Sequence, residues 1–341
     1  MKKLVVASVM PKAGKTTVAL GIAKKFGGKI GYMKPLGDNQ IYKKKRLVDY
    51  DAALFKEVFG IEEEVDEFTL GFHHSKIMHA FPDIKKEVEE RCKRLSSNKD
   101  LFIIEGGENL VRGSSLGLDS LSVASLVGAD VLFVISGDAY DMMDSLSFAE
   151  CAARNAGVNI AGVVIDKVRE ENVEKVEREM EKMGIQMLGT VPYINELDAM
   201  KVRYIADKLF ARVVAGEKGL EKEVRNVLIA ALSVPEILRH PDFKKEGKLI
   251  ITGGDRSDVI TAAMDDERTS CIVLTNNIVP PSNILAKADR RNIPLLSIRS
   301  DTYTAARKVE SIESIILPDE NKKVKKIEEA TEGINIDFLK Q

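Results

Sequence analysis

The stretch LVVASVMPKAGKTT, residues 4–17, decides the fold of the N-terminal part of the chain. Its first half is a continuous apolar run, which predicts a buried β-strand. Its second half ends in GKTT, and helical spacing follows over residues 16–26. A loop of this kind between a strand and a helix presents backbone N–H groups and the positive helix end to an anion. The common phosphate-binding pattern is G-x-x-x-x-G-K-[ST], and Val9 stands here in the position of its first glycine.

The loop predicts a site for a nucleotide with Mg²⁺. The ammonium group of Lys15 is expected to reach the β- and γ-phosphates, and the hydroxyl of Thr16 is expected to bind Mg²⁺. Lys12 lies within the loop and would add positive charge. The residues predicted to contact the nucleotide in this stretch are Lys12, Ala13, Gly14, Lys15, Thr16 and Thr17.

Beyond the loop, apolar runs alternate with helical patterns over about 200 residues. Apolar, non-alternating strands separated by helices predict an α/β fold with a mostly parallel sheet covered by helices on both faces. A second set of such runs predicts a second, smaller α/β domain, and a chain of 341 residues suits two domains. The predicted divisions are 1–205, 206–320 and a charged C-terminal tail, 321–341.

Composition excludes several classes of protein. The formal charge of -2 comes from 51 basic and 53 acidic residues, so neither a nucleic acid nor a membrane surface is expected as a partner. No apolar run reaches the roughly 18 residues of a membrane helix, and a cytoplasmic protein is expected. The three cysteines are isolated and form neither a metal pattern nor a disulfide framework.

Two acids and a lysine are placed to complete a metal and phosphate site. Mg²⁺ takes oxygen ligands from one or two carboxylates, phosphates and water. Glu105 ends an apolar strand, where side chains face the ligand crevice, and Lys34 ends another. Asp51 opens the helical pattern DAALFKEVFG, but Asp49 lies close by and the choice between them is open. For Asp51 the alternative is a helix N-terminal acid that satisfies free amides.

These patterns assign a role to each polar residue of the expected site. The residues predicted to act in catalysis are Lys15, Lys34, Asp51 and Glu105, and those predicted to hold the metal are Thr16, Asp51 and Glu105.

The first 200 residues resemble the dethiobiotin-synthetase-like P-loop domains. That group includes cobyrinic acid a,c-diamide synthases and the N-terminal region of long bacterial phosphotransacetylases. The stretches AGKTT, YMKPLG, DYDAAL, FIIEGG and LGTVPY occur in the same order. The resemblance implies a loop one residue longer than the common pattern, with Ser8 in its leading position. It also implies that Asp51 and Glu105 are associated with the metal and that Lys34 lies near the substrate.

The same resemblance marks two departures. Val9-Met10-Pro11 stands where the synthetases have Thr-Asp-Thr, so biotin chemistry is not expected. Their adenine-contacting asparagine falls on Asp166, which can accept from the adenine amino group but cannot donate to N7. The identity of the base is therefore open.

The second half resembles the DRTGG domain. The matching stretches are VVAGEKGLEKEV, KLIITGGDRSDVITAAM and DTYTAA. The turn Gly253-Gly254 is expected either to take a ligand or to be structural, with Asp255 and Arg256 paired. This pairing of domains is similar to the regulatory part of long phosphotransacetylases. Their acetyltransfer domain would follow, whereas this sequence ends at Gln341, so phosphotransacetylase activity is not expected of it.

The resulting hypothesis is a protein that binds ATP and Mg²⁺ and acts as a slow ATPase or nucleotide-dependent regulator. One alternative is an ATP-dependent ligase acting on a small carboxylate or carbamate. Another is a non-catalytic regulator whose DRTGG domain docks on a metabolic enzyme. A homodimer is expected by resemblance alone.

Overall fold

The computed structural model describes residues 1–43, 46–168 and 170–340. The chain forms two compact units. One contains residues 1–194 and the segment from 316 onward, and the other contains residues 195–315. None of the helices in the described ranges is both long enough and apolar enough to cross a membrane.

The strands of the first unit are β1 (Lys2–Ala7), β2 (Ile30–Met33), β3 (Gln40–Lys43), β4 (Arg46–Asp49), β5 (Leu101–Glu105), β6 (Asp130–Ile135), β7 (Ile160–Val168) and β8 (Met187–Pro192). Six of them form a parallel sheet with the order β2-β5-β1-β6-β7-β8. Strands β3 and β4 form a separate antiparallel pair.

Helices connect these strands in the first unit, and their ends agree with local sequence signals. Asp49, Asp83, Asp119 and Asp138 cap helix N-termini, accepting from first-turn amides. Glycine residues follow several helices in the left-handed conformation that closes a C-terminus. The helices are α1 (Lys15–Phe26), α2 (Tyr50–Phe59), α3 (His74–Ala80), α4 (Ile84–Leu95), α5 (Ser120–Val127), α6 (Ala139–Ala156) and α7 (Glu170–Lys182).

The parallel sheet brings four chain segments to one edge. Strands β1, β2, β5 and β7 all run in the same direction, so the residues after their carboxyl ends meet there. The strands β2 and β5 are buried along their whole length, which accounts for their apolar sequence. Polar residues begin where these strands end, and this edge carries the candidate site.

The helices and strands of the second unit are β9 (Met200–Lys201), α8 (Val202–Leu209), β10 (Arg212–Ala215), β11 (Glu223–Val224), β12 (Asn226–Ile229), α9 (Val234–Arg239), β13 (Lys248–Gly253), α10 (Ser257–Asp265), β14 (Thr269–Thr275), α11 (Ser282–Arg291), β15 (Leu295–Ser297) and α12 (Thr302–Glu310). Five of the strands form a sheet with the order β10-β15-β14-β13-β12, in which β10 runs antiparallel to its neighbour and the other pairs are parallel. Apolar clusters cover both faces of this sheet. The short strands β9 and β11 pair separately.

The glycine turn after β13 corrects one expectation. Arg256 does not pair with Asp255. Its Nε donates to Asp258 at 3.3 Å, and its Nη2 donates to the Leu232 carbonyl at 3.0 Å. The turn is tight for steric reasons, because a Cβ on Gly254 would lie 1.9 Å from the carbonyl oxygen of Ile278.

The last part of the chain contains a further helix, α13 (Asn321–Thr331), which packs within the first unit. Its Ile327 is fully buried, and Thr331 lies so close to α1 that only glycine fits at position 21. Lys25 donates to the carbonyl of Ile334 at 2.7 Å. A charged tail over 321–341 is what the sequence suggests. Within the described residues this segment instead has an apolar face that the first unit buries. The divisions after residues 205 and 320 stay a prediction.

Candidate nucleotide and metal site

The phosphate loop connects β1 to α1. Its last residue, Gly14, has φ 88°, and a Cβ there would lie 1.8 Å from Oδ2 of Asp166. Glycine is thus required both by the backbone conformation and by the close approach of the loop to β7. Among the loop residues predicted to contact nucleotide, Lys12 is exposed, Ala13 is buried and Thr17 is half-buried.

Lys15 is buried at the start of α1, with 7% of its surface exposed. Its Nζ donates to Oγ of Ser8 at 3.0 Å and to the carbonyl oxygen of Glu108 at 3.0 Å. Burial lowers the pKa of Lys15, while the nearby charge of Glu105 acts to raise it. Both hydrogen-bond partners of the ammonium are neutral oxygens, so its charge still has the capacity to stabilise an anion.

Glu105 ends β5 and is 1% exposed. Its Oε1 accepts from Oγ1 of Thr16 at 2.8 Å, and its Oε2 accepts from the hydroxyl of Tyr32 at 3.0 Å. Burial raises the pKa of Glu105 to about 7, against the opposing effect of Lys34. The structure therefore brings together Thr16 and Glu105, two of the three residues predicted to hold the metal.

Lys34 follows β2 and lies among four carboxylates. Its Nζ is 2.5 Å from both Asp38 Oδ1 and Asp51 Oδ2. Oε1 of Glu105 and Oδ1 of Asp49 are farther away, at 3.6 and 3.9 Å. Burial acts to lower the pKa of Lys34, but the surrounding acids hold it well above its ordinary value. Lys34 is therefore charged and neutralises part of this acidic cluster.

The structure separates the roles of the two acids between which the sequence left a choice. Asp49 is the residue that caps α2, since its Oδ1 accepts from the backbone N–H of Asp51 at 2.9 Å. Its Oδ2 accepts from the backbone N–H of Asp38 at 3.1 Å. Burial raises the pKa of Asp49 to about 7. The carboxylate of Asp51 is directed instead to Lys34, so the amide-satisfying role considered for Asp51 belongs to Asp49.

Asp38 is a member of the cluster that sequence reasoning missed. Oxygens of Asp38, Asp49 and Asp51 lie within 4.8 Å of one another, close enough for a single cation to contact all three. The available sequence signal is the spacing of four residues between Lys34 and Asp38. That spacing predicts contact only on a helix, whereas here it spans a loop.

The donor set suits a hard divalent cation. Among the described residues of this edge, the carboxylates of Asp38, Asp49, Asp51 and Glu105 outnumber the ammonium groups of Lys15 and Lys34. Mg²⁺ prefers such oxygen ligands. Asp51 lies in this cluster, and Lys34 lies between its carboxylate and that of Glu105. Its predicted role as a metal ligand stays a prediction.

Asp166 lies at the end of the site, against the phosphate loop. It is 3% exposed, and burial raises its pKa to about 7. The next residue, Lys167, has φ 56° and donates from Nζ to the carbonyl oxygen of Lys12 at 3.0 Å. The carboxyl end of β7 is thus tied to the loop that precedes α1.

Two family models match the chain. The AAA domain model (AAA_26) matches residues 2–201, and the DRTGG domain model matches residues 204–312. The first model spans the sheet with the phosphate loop, and the second lies within residues 195–315, while neither reaches the segment from 316 onward. The two matches confirm the pair of domains that the motifs indicated.

Curated relatives with sequence similarity are named phosphate acetyltransferases. The protein from Pseudomonas aeruginosa is 23% identical over 96% of this chain and 50% of its own length. The protein from Synechocystis sp. is 24% identical over 94% of this chain and 49% of its own length. The chain thus spans about half the length of these curated relatives.

Solved structures give more distant similarities. The MinD cell division protein of Aquifex aeolicus matches 58% of this chain and 84% of its own, with a TM-score of 0.38 and 14% identity. The CBS and DRTGG domains of the regulatory region of Clostridium perfringens pyrophosphatase match 55% of this chain and 83% of their own, with a TM-score of 0.30 and 20% identity.

Proposed function

This chain belongs to the AAA domain family (AAA_26), and on that premise we propose that its first domain binds Mg-ATP and hydrolyses it slowly. We further propose that the bound nucleotide controls the action of the DRTGG domain on a metabolic enzyme. The observation that carries the proposal is that one sheet edge combines a lysine suited to a phosphate with acids suited to a cation. Lys15 is buried and donates to neutral oxygens, and beside it lies a buried cluster with more carboxylates than ammonium groups.

Each residue of the edge has a chemical task in this proposal. Lys15 would neutralise charge on the β- and γ-phosphates, because an ammonium at a helix N-terminus is a strong anion partner. The hydroxyl of Thr16 and the carboxylates of Asp51 and Glu105 would hold Mg²⁺, which supplies charge neutralisation when it is bound. Lys34 already neutralises the acids and would lie near the reacting phosphate.

The slow rate follows from the composition of the edge. Phosphoryl transfer is accelerated by positive charge aimed at the transferred group. Here Lys34 is engaged at 2.5 Å by two carboxylates, so less of its charge is available to a phosphate. Asp166 is the residue proposed to contact the base, where it would accept from an exocyclic amino group.

The curated relatives support a regulatory role. They are named phosphate acetyltransferases, and this chain corresponds to about half their length. We therefore propose that the Mg-ATP domain and the DRTGG domain act together as a control module for a metabolic enzyme. A homodimer in solution is part of this proposal. Light scattering at micromolar concentration tests it, and a monomer would remove that part.

The phosphate site is tested with the variant Lys15→Ala. We expect Mg-ATP affinity to fall at least about 100-fold, because hydrogen bonds to charged groups contribute about 1.5–3 kcal/mol each. Stabilisation of the fold by saturating Mg-ATP should disappear with it. Affinity is measured by calorimetry, and stabilisation by thermal unfolding.

The matched control is Lys24→Ala, which removes a lysine from the last turn of the same helix. It should leave Mg-ATP affinity unchanged. Equal affinity in Lys15→Ala and the unaltered protein would refute the phosphate site. Binding without any release of phosphate would favour the purely regulatory form of the proposal over hydrolysis.

A further inference from the structure

Tyr32 is a buried residue that contacts one acid of the candidate site. It lies on β2 opposite Ile103 of β5, and it has no exposed surface. Glu105 follows Ile103 by two residues, and residues at this spacing share one face of a strand. The hydroxyl of Tyr32 donates to Oε2 of Glu105 at 3.0 Å. Neighbouring strands therefore place a phenol and a carboxylate in direct contact at the carboxyl edge of the sheet.

Two aromatic neighbours fix the ring of Tyr32. The ring stacks on Phe55 of α2, with the centroids 4.0 Å apart and the planes at 17°. Phe68 meets it edge-on, at a centroid distance of 6.1 Å. Both phenylalanines are fully buried. The hydroxyl is thus held against Glu105 by a ring that cannot turn away without disturbing this packing.

The two oxygens of Glu105 have different partners. Oε1 accepts from the hydroxyl of Thr16 at 2.8 Å, and Thr16 stands next to Lys15 at the start of α1. Nζ of Lys34 is 3.6 Å from the same oxygen. Oε2 accepts from Tyr32 instead. Oε1 therefore faces the residues predicted to bind phosphate and metal, whereas Oε2 is already bonded to a core side chain.

An oxygen that already accepts a buried hydrogen bond is a poor additional ligand for a cation. Mg²⁺ binds about six oxygens at about 2.0–2.1 Å, whereas Ca²⁺ takes roughly six to eight at about 2.3–2.6 Å and accepts both oxygens of one carboxylate. If Glu105 bound a cation through both oxygens, the buried hydroxyl of Tyr32 would lose its acceptor, which is costly. Glu105 is thereby suited to bind a cation through Oε1 alone.

We propose that Tyr32 is a positioning residue that reserves Oε1 of Glu105 for the cation and so makes the site prefer Mg²⁺ over Ca²⁺. Tyr32 acts through Glu105 and does not itself touch the cation. The inference rests on the metal site of the proposed function and does not depend on the binding of ATP.

The test is a competition between metal ions on the whole chain, without nucleotide. Bound Mn²⁺ is followed by electron paramagnetic resonance, and Mg²⁺ or Ca²⁺ is added to displace it. The unaltered protein should bind Mg²⁺ more tightly than Ca²⁺. Tyr32→Phe keeps the ring and removes the hydroxyl, so this preference should fall about tenfold, as expected for one hydrogen bond to a charged group.

Tyr204→Phe is the matched control, in the second domain. Tyr204 is also buried, and its hydroxyl donates to the carbonyl oxygen of Glu313 at 2.9 Å. Its loss should leave the metal preference unchanged. Phe55→Leu is a second test variant, because it keeps the hydroxyl of Tyr32 but weakens the support of its ring. It should shift the preference in the same direction as Tyr32→Phe, by a smaller factor.

A double-mutant cycle shows whether Tyr32 acts through Glu105. In the background of Glu105→Gln, Tyr32→Phe should not change the metal preference further, because the carboxylate is gone. A general structural effect of losing the hydroxyl would persist in that background. An equal effect of Tyr32→Phe with and without Glu105 would overturn the proposal.

The remaining outcomes separate this proposal from the Mg-ATP site. An unchanged preference in Tyr32→Phe, with Mn²⁺ still bound, overturns the role of Tyr32 and leaves the metal site standing. Complete loss of Mn²⁺ from Tyr32→Phe, a preference of the unaltered protein for Ca²⁺, or no binding of Mn²⁺ to it, overturns that role as well. The expected shift in metal preference in a protein that does not bind ATP would overturn the Mg-ATP function alone.

Discussion

The two domains both bring parallel strand ends and a glycine turn to one sheet edge, but they bury different chemistry there. In the first domain the edge buries Lys15, Lys34 and Glu105 along with further acids. In the second domain it buries neutral hydroxyls. Thr275 is fully buried, with its Oγ1 3.2 Å from Oγ1 of Thr302. The architecture of a parallel sheet edge therefore does not by itself make an ionic site.

The second domain does contain a buried lysine, at the opposite end of its sheet. Lys248 begins β13, with its Nζ 3.1 Å from Asp266 and 4.8 Å from the ring centroid of Phe243. Asp266 is also paired with Arg268 at 2.7 Å, so here cations outnumber the acid. Charge is buried in both domains, but the described residues have an excess of carboxylates only around Lys34 in the first domain, and this excess is the basis of the proposed Mg²⁺ site.

The largest expected effect comes from removing the lysine in each domain. Lys34→Met should lower the free energy of unfolding by about 3–5 kcal/mol, because it leaves buried carboxylates without their cation. Lys248→Met should cost less, because Arg268 still neutralises Asp266. Urea denaturation measures both.

Added Mg²⁺ should restore part of the stability lost in Lys34→Met, since the cation replaces the ammonium charge. Added Mg²⁺ should not restore the stability lost in Lys248→Met. Equal destabilisation of the two variants, with no response to Mg²⁺ in either, would show that the carboxylates around Lys34 do not form a cation site.

The second effect is a difference in pH dependence. Burial raises the pKa of Glu105 and of Asp166 to about 7. The folded first domain therefore holds protons that the unfolded chain has released, and its stability should fall as pH rises from 5 to 7. For each acid that is protonated in the folded state and ionised in the unfolded state, the free energy of unfolding should fall by about 1.4 kcal/mol per pH unit.

The second domain should show a weaker slope, since Asp207, whose pKa burial also raises, is largely exposed. The hydrogen bond from Arg268 lowers the pKa of Asp266 to about 2. The stability that Asp266 contributes is therefore complete above the ordinary pKa of 3.8 and is lost only as the pH falls towards 2. Hydrogen exchange at pH 5, 6 and 7 resolves the two domains separately. A first domain whose protection is constant over this range would show that its acids are ionised throughout.

The smallest expected effect compares the two glycine turns. Gly14→Ala places a methyl group on a residue with φ 88° and against the carboxylate of Asp166. Gly254→Ala places a methyl group against the carbonyl oxygen of Ile278. Each should destabilise its own domain by about 1–3 kcal/mol. Only Gly14→Ala should weaken Mg-ATP binding, measured by calorimetry. A comparable loss of affinity in Gly254→Ala would mean that the second turn also serves the nucleotide.

Local sequence patterns predicted much of the fold. The apolar run before GKTT predicted β1, and the helical spacing after it predicted α1 (Lys15–Phe26). The prediction of a helix at 50–59 coincides with α2. The hairpin of β3 and β4, helix α5 and helix α13 were not predicted. The hairpin strands and α5 are short, and the many charges of α13 obscured the helical spacing of its buried residues Val324, Ile327 and Thr331.

The sequence alone was enough to identify residues that end buried strands of the first sheet. Lys34 and Glu105 were each predicted to face the crevice at the carboxyl edge, and in the structure Nζ of Lys34 lies 3.6 Å from Oε1 of Glu105. The sequence could not show which groups each charged side chain contacts at this edge. Distances between residues far apart in sequence depend on how the loops close, and local sequence patterns do not contain that information.

The different roles of the acids at the site became evident from the folded chain. It made Asp49 the helix cap and left Asp51 to Lys34. It added Asp38 from a loop, and it directed the two oxygens of Glu105 to different hydroxyl groups. The physical reason is that the strength of a charge or a hydrogen bond depends on burial and on its partners, which exist only once the chain has folded.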